Sequence, residues 1–270
     1  MRTVFLTLML TLAGCGEQPS SPPEQRKAAP PPITFDGALS SAGGARLAHG
    51  ERLTRVLGCR GCHTDSLQGQ RFYELYASNL TRDVPRYQDS ELERLIRAGV
   101  RPDGREVWGM SSEVFQHLHD ADLRPVMSYL RTLAPGGAPT GTPLPWTAET
   151  RRLIAEGTIK PAAQLVSERR QVQPPDLGPQ HALGRYITMV TCAECHGPQL
   201  RGQQGDTPDL VVASAYSRVE FERLMTTGVP TGGRTLSLMA EVARGRFAYL
   251  TRHERDAVYA YLRARAERLQ

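Results

Sequence analysis

Two short stretches decide the fold of this chain: GCRGCHTDSLQG at residues 58–69 and TCAECHGPQLRG at residues 191–202. Each stretch has two cysteines three positions apart and a histidine directly after the second cysteine. Each then continues into a leucine and a glycine, four and six positions after that histidine. The chain has five cysteines, so these two stretches contain every cysteine except Cys15.

The C-x-x-C-H spacing predicts covalent attachment of a c-type haem. Two thiols on one helical turn can each form a thioether to a haem vinyl group, and the next residue, a histidine, can then bind the iron. The alternatives are a zinc site and two disulfides. No further Cys/His cluster completes a zinc site, and disulfides would leave both histidines without a role. The predicted attachment residues are Cys59, Cys62, His63, Cys192, Cys195 and His196.

The two stretches belong to an internal repeat. Glu91–Met110 aligns without a gap on Glu220–Met239, with nine of 20 positions identical. We therefore expect two homologous domains, and domains joined by a long linker are mobile by default unless their interface is large and apolar. The predicted boundaries are 1–14 for a signal peptide, 15–35 for a Pro/Ser-rich tether, 36–134 for the first domain, 135–179 for a linker and 180–270 for the second domain.

Helical patterns occur at matching places in the two domains. Each copy closes on a helical segment containing Tyr-Leu, at Tyr129-Leu130 and at Tyr261-Leu262. The linker has Pro/Gly-rich flanks around one expected helix, at Ala148–Glu156. In the domains the predicted helices are 42–58, 89–98, 120–133, 180–191, 217–227 and 251–267.

Both halves resemble class I cytochrome c domains, and the whole chain resembles the exported dihaem cytochromes of bacterial respiratory chains. Besides the two stretches, the resemblance rests on SNLT at Ser78–Thr81 and GMSSEVF at Gly109–Phe115. It implies an all-α fold of two tandem cytochrome c domains, each wrapped around one covalently bound haem, hence two haem c groups. Long loops are acceptable here because a haem supplies the missing core surface.

The resemblance also implies a methionine as the sixth iron ligand, in a loop before the C-terminal helix. Met110 lies 47 residues after His63 and Met239 lies 43 after His196, and the repeat matches only these two methionines to each other. We therefore expect Met110 and Met239 to be iron ligands. His/Met ligation raises the reduction potential and leaves no open iron position for a substrate.

Other histidines and methionines compete for this role. A methionine at helical spacing is usually core filler, which is the expectation for Met127, Met189 and Met225. A bis-histidine haem using His117 or His119 stays open for the first domain. The remaining expectations are surface or capping roles for His49 and His181, and pairing with haem propionates for Arg105 and Arg234.

The N-terminus predicts export. Arg2 precedes the apolar stretch Val4–Leu12, which ends in Leu-Ala-Gly before Cys15. This resembles a bacterial lipoprotein signal, which implies cleavage before Cys15, a lipid anchor on that residue and a periplasmic location. Gly16 and Glu17 follow, and the lack of an aspartate directly after the cysteine favours the outer membrane. No later apolar run is long enough to span a membrane.

Charge and function classes follow from these assignments. The formal net charge is +5, but the propionates of two haems offset most of it, and nothing resembles a nucleic-acid-binding motif. The expected function is an electron carrier without catalytic residues, with a dehydrogenase or quinol-linked donor and an oxidase or another cytochrome as acceptor. The alternatives are a peroxidase-like dihaem enzyme and a cytochrome subunit of a membrane-associated dehydrogenase.

Overall fold

Helices dominate the described chain, which comprises residues 31–40, 42–203 and 206–269 in this computed structural model. The chain is 57% helical and 4% strand, which agrees with the all-α prediction. The predicted signal peptide, Cys15 and most of the tether lie outside the described residues. Within the described ranges no helix has the length and apolarity needed to cross a membrane.

The N-terminal half runs from Phe35 to residue 134 and contains six helices and one small hairpin among its described residues. Its predicted helices appear within two residues of their expected ends. The helices are α1 (Gly43–Val56), α2 (Cys59–His63), α3 (Leu80–Asp83), α4 (Asp89–Ala98), α5 (Ser112–Phe115) and α6 (Asp120–Thr132). The hairpin pairs β1 (Gln70–Phe72) with β2 (Leu75–Ala77) in antiparallel register.

The connecting segment, residues 135–179, is more structured than the sequence predicts. It contains α7 (Ala148–Ala155), close to the expected helix, and a second helix, α8 (Ala162–Arg169), that was not expected. The C-terminal half follows from residue 180. Its described helices are α9 (Ala182–Val190), α10 (Ala193–His196), α11 (Arg218–Thr227), α12 (Ser237–Gly245) and α13 (Arg252–Leu269).

In each half the first long helix packs closely against the last. A Cβ on Gly50 of α1 would lie 2.0 Å from the Pro125 carbonyl oxygen of α6, and a Cβ on Gly184 of α9 would lie 2.1 Å from the Ala257 carbonyl oxygen of α13. Both crossings therefore require glycine. Three and six residues after each glycine, the side chains are fully buried: Leu53 and Val56, then Ile187 and Val190.

The aligned helices α4 and α11 begin and end in the same way. Glu91 in α4 and Glu220 in α11 each close a capping box with the residue three positions earlier. Gly99 and Gly228 end the two helices in the left-handed conformation, with φ of 63° and 75°. The structure thus repeats what the ungapped sequence alignment predicts.

Different segments cover these helix ends in the two halves. A Cβ on Gly99 would lie 2.6 Å from the Cβ of Ala162 in α8, whereas a Cβ on Gly228 would lie 2.6 Å from the Ala240 carbonyl oxygen in α12. The Ala162 amide also donates to the Val107 carbonyl over 2.7 Å. The connecting segment therefore contributes a helix to the N-terminal half, in the place that α12 takes in the C-terminal half.

Buried polar contacts hold the two halves together, and residues 32–270 cluster as one compact unit. Glu254 of α13 is fully buried and accepts two hydrogen bonds from Arg52 of α1, at 2.7 and 2.9 Å. Asp122 of α6 is also fully buried and accepts a 2.7 Å bond from the Tyr186 hydroxyl of α9. These buried pairs, together with an apolar core that includes residues of both halves, supply the interface that the default of mobile domains leaves open.

Two expectations at the domain starts also change. Phe35, placed in the tether by the sequence, is 1% exposed and packs edge-on against Tyr186. His49, expected at the surface or in a cap, lies buried within α1 with its Nε2 3.1 Å from Asp122. His181 is half-buried in a short 3₁₀ turn directly before α9. The fold thus begins at or before Phe35, and His49 contacts the interface residue Asp122 from within the N-terminal half.

Candidate haem sites

The two C-x-x-C-H motifs form short helices at corresponding places. Cys59 to His63 make up α2, and Cys192 is the residue before α10, which ends at His196. All four cysteines of these motifs are free thiols at half-buried positions, so no disulfide joins them. The helical turn brings each pair of thiols to the same side, as thioether attachment to a single haem requires.

Both motif histidines point Nδ1 at a backbone carbonyl. His63 Nδ1 lies 2.7 Å from the Ser78 oxygen, and His196 Nδ1 lies 2.9 Å from the Pro208 oxygen. Beside a carbonyl, Nδ1 must carry the proton, which leaves the Nε2 lone pair free for a metal. Burial lowers the pKa of both histidines, so both are neutral at pH 7, as a metal ligand must be.

The loop after each motif has the same backbone hydrogen bonds in both halves. The backbone amide six positions after the motif histidine donates to the carbonyl of that histidine. The leucine between them has a positive φ, and its carbonyl accepts from the backbone amide of the first residue of the next short helix. Positive φ is uncommon for leucine, yet φ is 58° at Leu67 and 61° at Leu200. The bonds are Gly69 to His63 (2.9 Å) and Gly202 to His196 (2.8 Å), then Leu80 to Leu67 and Leu210 to Leu200 (both 2.9 Å).

The residue after each carbonyl acceptor caps a short helix. Asn79, directly after Ser78, accepts from the Thr81 amide, and Asp209, directly after Pro208, accepts from the Val211 amide. Each cap fixes the carbonyl that orients the motif histidine. The sequence indicates the first of these caps through the SNLT phrase at Ser78–Thr81, whereas no sequence motif points to Asp209 as the second.

The caps are anchored differently. The side-chain amide of Asn79 donates to the carbonyls of Gly136 and Ala138 in the connecting segment, at 2.8 and 2.7 Å. Asp209 instead pairs with Arg265 of α13 at 2.8 Å, and the Arg265 side chain is 2% exposed. The start of the connecting segment therefore belongs structurally to the N-terminal site.

A cavity of about 300 Å³ joins the predicted residues of the N-terminal half. Cys59, Cys62 and His63 line it, and so does Met110. Met110 lies in an extended segment two residues before α5. The remaining lining is mostly apolar and its volume suits a bound cofactor; among the apolar residues are Leu80, Val84, Leu92, Ile96, Phe115, Leu118 and Val126.

The C-terminal half presents its predicted methionine differently. Met239 is half-buried in the first turn of α12 and packs against the apolar core, whereas a loop position was expected. The physical reason is local, because Met239 is followed by Ala, Glu, Val, Ala and Arg, of which all but valine are good helix formers. The cavity of the N-terminal half reaches Glu194 but does not extend to Cys192, His196 or Met239.

The competing side chains lie elsewhere. Met127 and Met225 are buried in helices α6 and α11, at 6% and 3% exposure, as expected for core filler. His119 Nδ1 accepts from the Ala121 amide at the start of α6. His117 lies beside Arg169, which comes from the connecting segment. The cavity lining does not include either histidine.

Of the arginines expected to pair with propionates, neither is well placed. Arg105 touches the cavity but is 72% exposed at its side chain and pairs with Asp103 at 2.7 Å, and Arg234 is exposed. Arg101 also lines the cavity and is 22% exposed at its side chain; its Nε lies 3.5 Å from Asp103 Oδ1 but makes no hydrogen bond within the described chain. The repeat alignment gives no signal that Arg101 is a propionate partner, because the aligned residue in the C-terminal half is Pro230.

The two motifs face a common, largely shielded ion pair. Glu194, between the cysteines of the second motif, accepts from Arg246 at 2.7 Å and from the Ser111 hydroxyl at 2.8 Å. Burial raises the pKa of Cys59 and Cys192 to about 11, while the Arg246 charge acts in the opposite direction on both thiols. The sequence does not point to this pair, because Arg246 lies outside the two segments that the repeat aligns.

Comparison with known proteins agrees with the C-terminal site. The family model Cytochrome c matches residues 181–266. No curated protein matches the chain. A cytochrome c domain holds haem c covalently, with its iron, and serves haem-based electron transfer. Residues 181–266, with the free thiols and the oriented histidine of α10, therefore form a class I cytochrome c domain.

Proposed function

We propose that the chain is a dihaem electron carrier with one haem c in each half. The observation that carries this proposal is the repeated loop: in both halves the motif histidine points Nδ1 at the carbonyl directly before a capped short helix. The C-terminal half is a cytochrome c domain, and the same backbone arrangement in the N-terminal half supports a second one. Cys59 and Cys62 would hold the first haem, and Cys192 and Cys195 the second.

The chain's own residues would hold each iron through the two motif histidines. His63 and His196 would donate Nε2 to the iron, because their Nδ1 protons are committed to backbone carbonyls. A bound haem supplies reversible one-electron transfer at its iron. The protein's task is to keep each histidine in one tautomer and orientation, which the caps at Asn79 and Asp209 do.

Met110 and Met239 would be the further protein ligands of the two irons. Met110 lines the same cavity as His63, which supports His/Met ligation in the N-terminal half. For Met239 the support is the ungapped repeat alignment. Two irons without a coordination position open to a substrate would favour electron transfer over chemistry at the metal.

A propionate of the first haem would pair with Arg101. Its Nη2 lies 3.4 Å from the Tyr87 hydroxyl, and both side chains line the cavity. A half-buried guanidinium whose Nε makes no hydrogen bond within the described chain is a suitable donor for a carboxylate. The C-terminal half has Pro230 at the aligned position, so its haem would lack this partner.

We further propose that the protein works in the periplasm of a bacterial respiratory chain, anchored by lipid on Cys15. Tethering would hold it near membrane-bound partners at raised effective concentration. Its electron donor would be a dehydrogenase or quinol-linked complex, and its acceptor an oxidase or another cytochrome. Such redox contacts are small and transient, so a stable complex with one dehydrogenase would indicate a permanent subunit instead.

Optical spectroscopy tests the ligation. The oxidised holoprotein should show the methionine–iron charge-transfer band for two haems, and the reduced form should not bind carbon monoxide. Met110→Ala and Met239→Ala should each remove half of the band and open one iron to carbon monoxide, while Met127→Leu should change neither. One haem that binds carbon monoxide in the wild-type protein would contradict the carrier function and favour the peroxidase-like alternative.

A further inference from the structure

Arg246 is a largely shielded cation that contacts the backbone beside the first haem motif. It belongs to the C-terminal half and directly follows α12. Its Nε donates to the Val56 carbonyl over 3.1 Å, three residues before Cys59. A Cβ on Gly58 would lie 2.7 Å from the guanidinium carbon, so the guanidinium packs directly on the backbone that enters α2.

The same side chain contacts the second motif. Arg246 Nη1 donates to Glu194, which lies between Cys192 and Cys195. Glu194 in turn accepts from Ser111, the residue after Met110, and lines the cavity of the N-terminal half. One ion pair therefore lies between the attachment sites of both proposed haems.

The pair is largely shielded from water. The Arg246 side chain is 12% exposed and that of Glu194 is 26% exposed. Arg246 Nη2 is buried and has no hydrogen-bond partner within the described chain. Buried charges are screened less by solvent and salt than exposed ones, so both groups act strongly on charges nearby.

We infer that Arg246 and Glu194 set the reduction potentials of both haems together, as one shared electrostatic control. The inference rests on the proposed function, since it requires a haem in each half. Adding an electron to a haem lowers its net charge, so a nearby cation favours the reduced form and a nearby carboxylate favours the oxidised form. Because the pair lies between the two motifs, removing either charge should move both potentials in the same direction.

The test is a potentiometric titration of the holoprotein and its variants. Arg246→Gln should lower both midpoint potentials, and Glu194→Gln should raise both. A unit charge on the order of 10 Å away, at an effective dielectric of about 20, changes the equilibrium roughly tenfold, and tenfold is about 59 mV for one electron. Arg246→Lys keeps the charge and should keep most of both potentials, whereas a purely structural role would make it resemble Arg246→Gln.

Arg244→Gln is the matched control, because Arg244 lies two residues away, is exposed and carries the same charge. Its effect on either potential should be much smaller. The inference is overturned if only one haem responds to Arg246→Gln, or if the control shifts the potentials as much. If Arg246→Gln does not fold, Glu194→Gln decides, and unchanged potentials there overturn the inference. A wild-type protein with a single haem would overturn the proposed function itself.

Discussion

The two halves of the molecule build the same histidine-orienting loop and anchor it in different ways. In the N-terminal half, Asn79 is held by two carbonyls of the connecting segment. In the C-terminal half, Asp209 is held by the buried Arg265 of the last helix. The hydrogen bonds around the histidine repeat within 0.2 Å, at 2.7 and 2.9 Å, while the anchors share neither residue type nor source.

This difference separates the features that a bound haem would require from those it would not. A haem would require the positions of the thiols, the tautomer of the histidine and the carbonyl that accepts its Nδ1 proton. The anchor needs only to hold the cap, so a backbone carbonyl pair and an ion pair serve equally well. The C-terminal half carries its anchor within residues 181–266, the region matched by the cytochrome c family model. The N-terminal half depends on residues beyond its last helix.

The largest effect is expected at the helix crossings, where the two halves are alike. Gly50→Ala and Gly184→Ala should each lower the free energy of unfolding by about 3 kcal/mol or more, because the added Cβ meets a backbone carbonyl that cannot move aside. Chemical denaturation of the holoprotein measures this. Gly44→Ala, in the same helix as Gly50 but facing open space, is the control and should be neutral or stabilising. A tolerated alanine at only one crossing would show that the helix pairs differ.

The anchor of the C-terminal half should give the next largest effect. Arg265→Met removes a buried guanidinium together with its hydrogen bonds to the Asp209 carboxylate and the Gln199 carbonyl, and should cost about 3 kcal/mol. The measurement is denaturation followed at the haem absorption band. Arg263→Met, two positions earlier in α13 and 42% exposed at its side chain, is the matched control. Equal losses in the two variants would contradict the assigned role of Arg265.

The anchor of the N-terminal half is tested by exchanging the two cap residues. Asn79→Asp should cost about 2 kcal/mol, because the carboxylate cannot donate and leaves two carbonyl acceptors of the connecting segment unpaired. Asp209→Asn keeps a side-chain oxygen for the cap and should cost about 1 kcal/mol, through the weakened bond to Arg265. If Asn79→Asp left the free energy of unfolding unchanged, the connecting segment would not be part of the N-terminal site.

The smallest effect concerns the capping box of α11. Hydrogen bonds from the Ser217 hydroxyl, the Thr231 hydroxyl and the Ser217 amide lower the pKa of Glu220 from 4.5 to about 2. A lowered pKa in the folded state stabilises the fold above the unfolded pKa, and that stability is lost as the pH falls through the folded value. Glu220→Gln should therefore unfold more easily than wild type at pH 7. The gap should close between pH 4.5 and about 2, and a gap that persists at the acid end would exclude this cause.

Local signals in the sequence were sufficient for much of this fold. The spacing of cysteines and histidines, and the leucine and glycine that follow each motif, lie within a few residues of each other. The helices α4 and α6 begin at or next to their predicted residues. The repeat alignment matched Gly99 with Gly228, and both end their helices in the left-handed conformation.

What the sequence could not supply depends on contacts between distant segments. Arg246 reaches Val56 across 190 positions, and Arg52 reaches Glu254 across 202. No periodicity or motif records such pairs, so the interface between the halves was not predicted. The helix α8 was missed for the same reason, because its place is defined by packing against Gly99 rather than by its own short sequence.

Intact-protein mass measured together with haem absorbance tests whether each half holds one haem. The expected mass increase is two haem groups per chain. Replacing both Cys59 and Cys62 with serine should remove one haem and leave the other, and replacing both Cys192 and Cys195 should do the same for the second haem. A single haem in the wild-type chain, lost only with the second pair of cysteines, would contradict the account and leave one cytochrome c domain beside a half of different function.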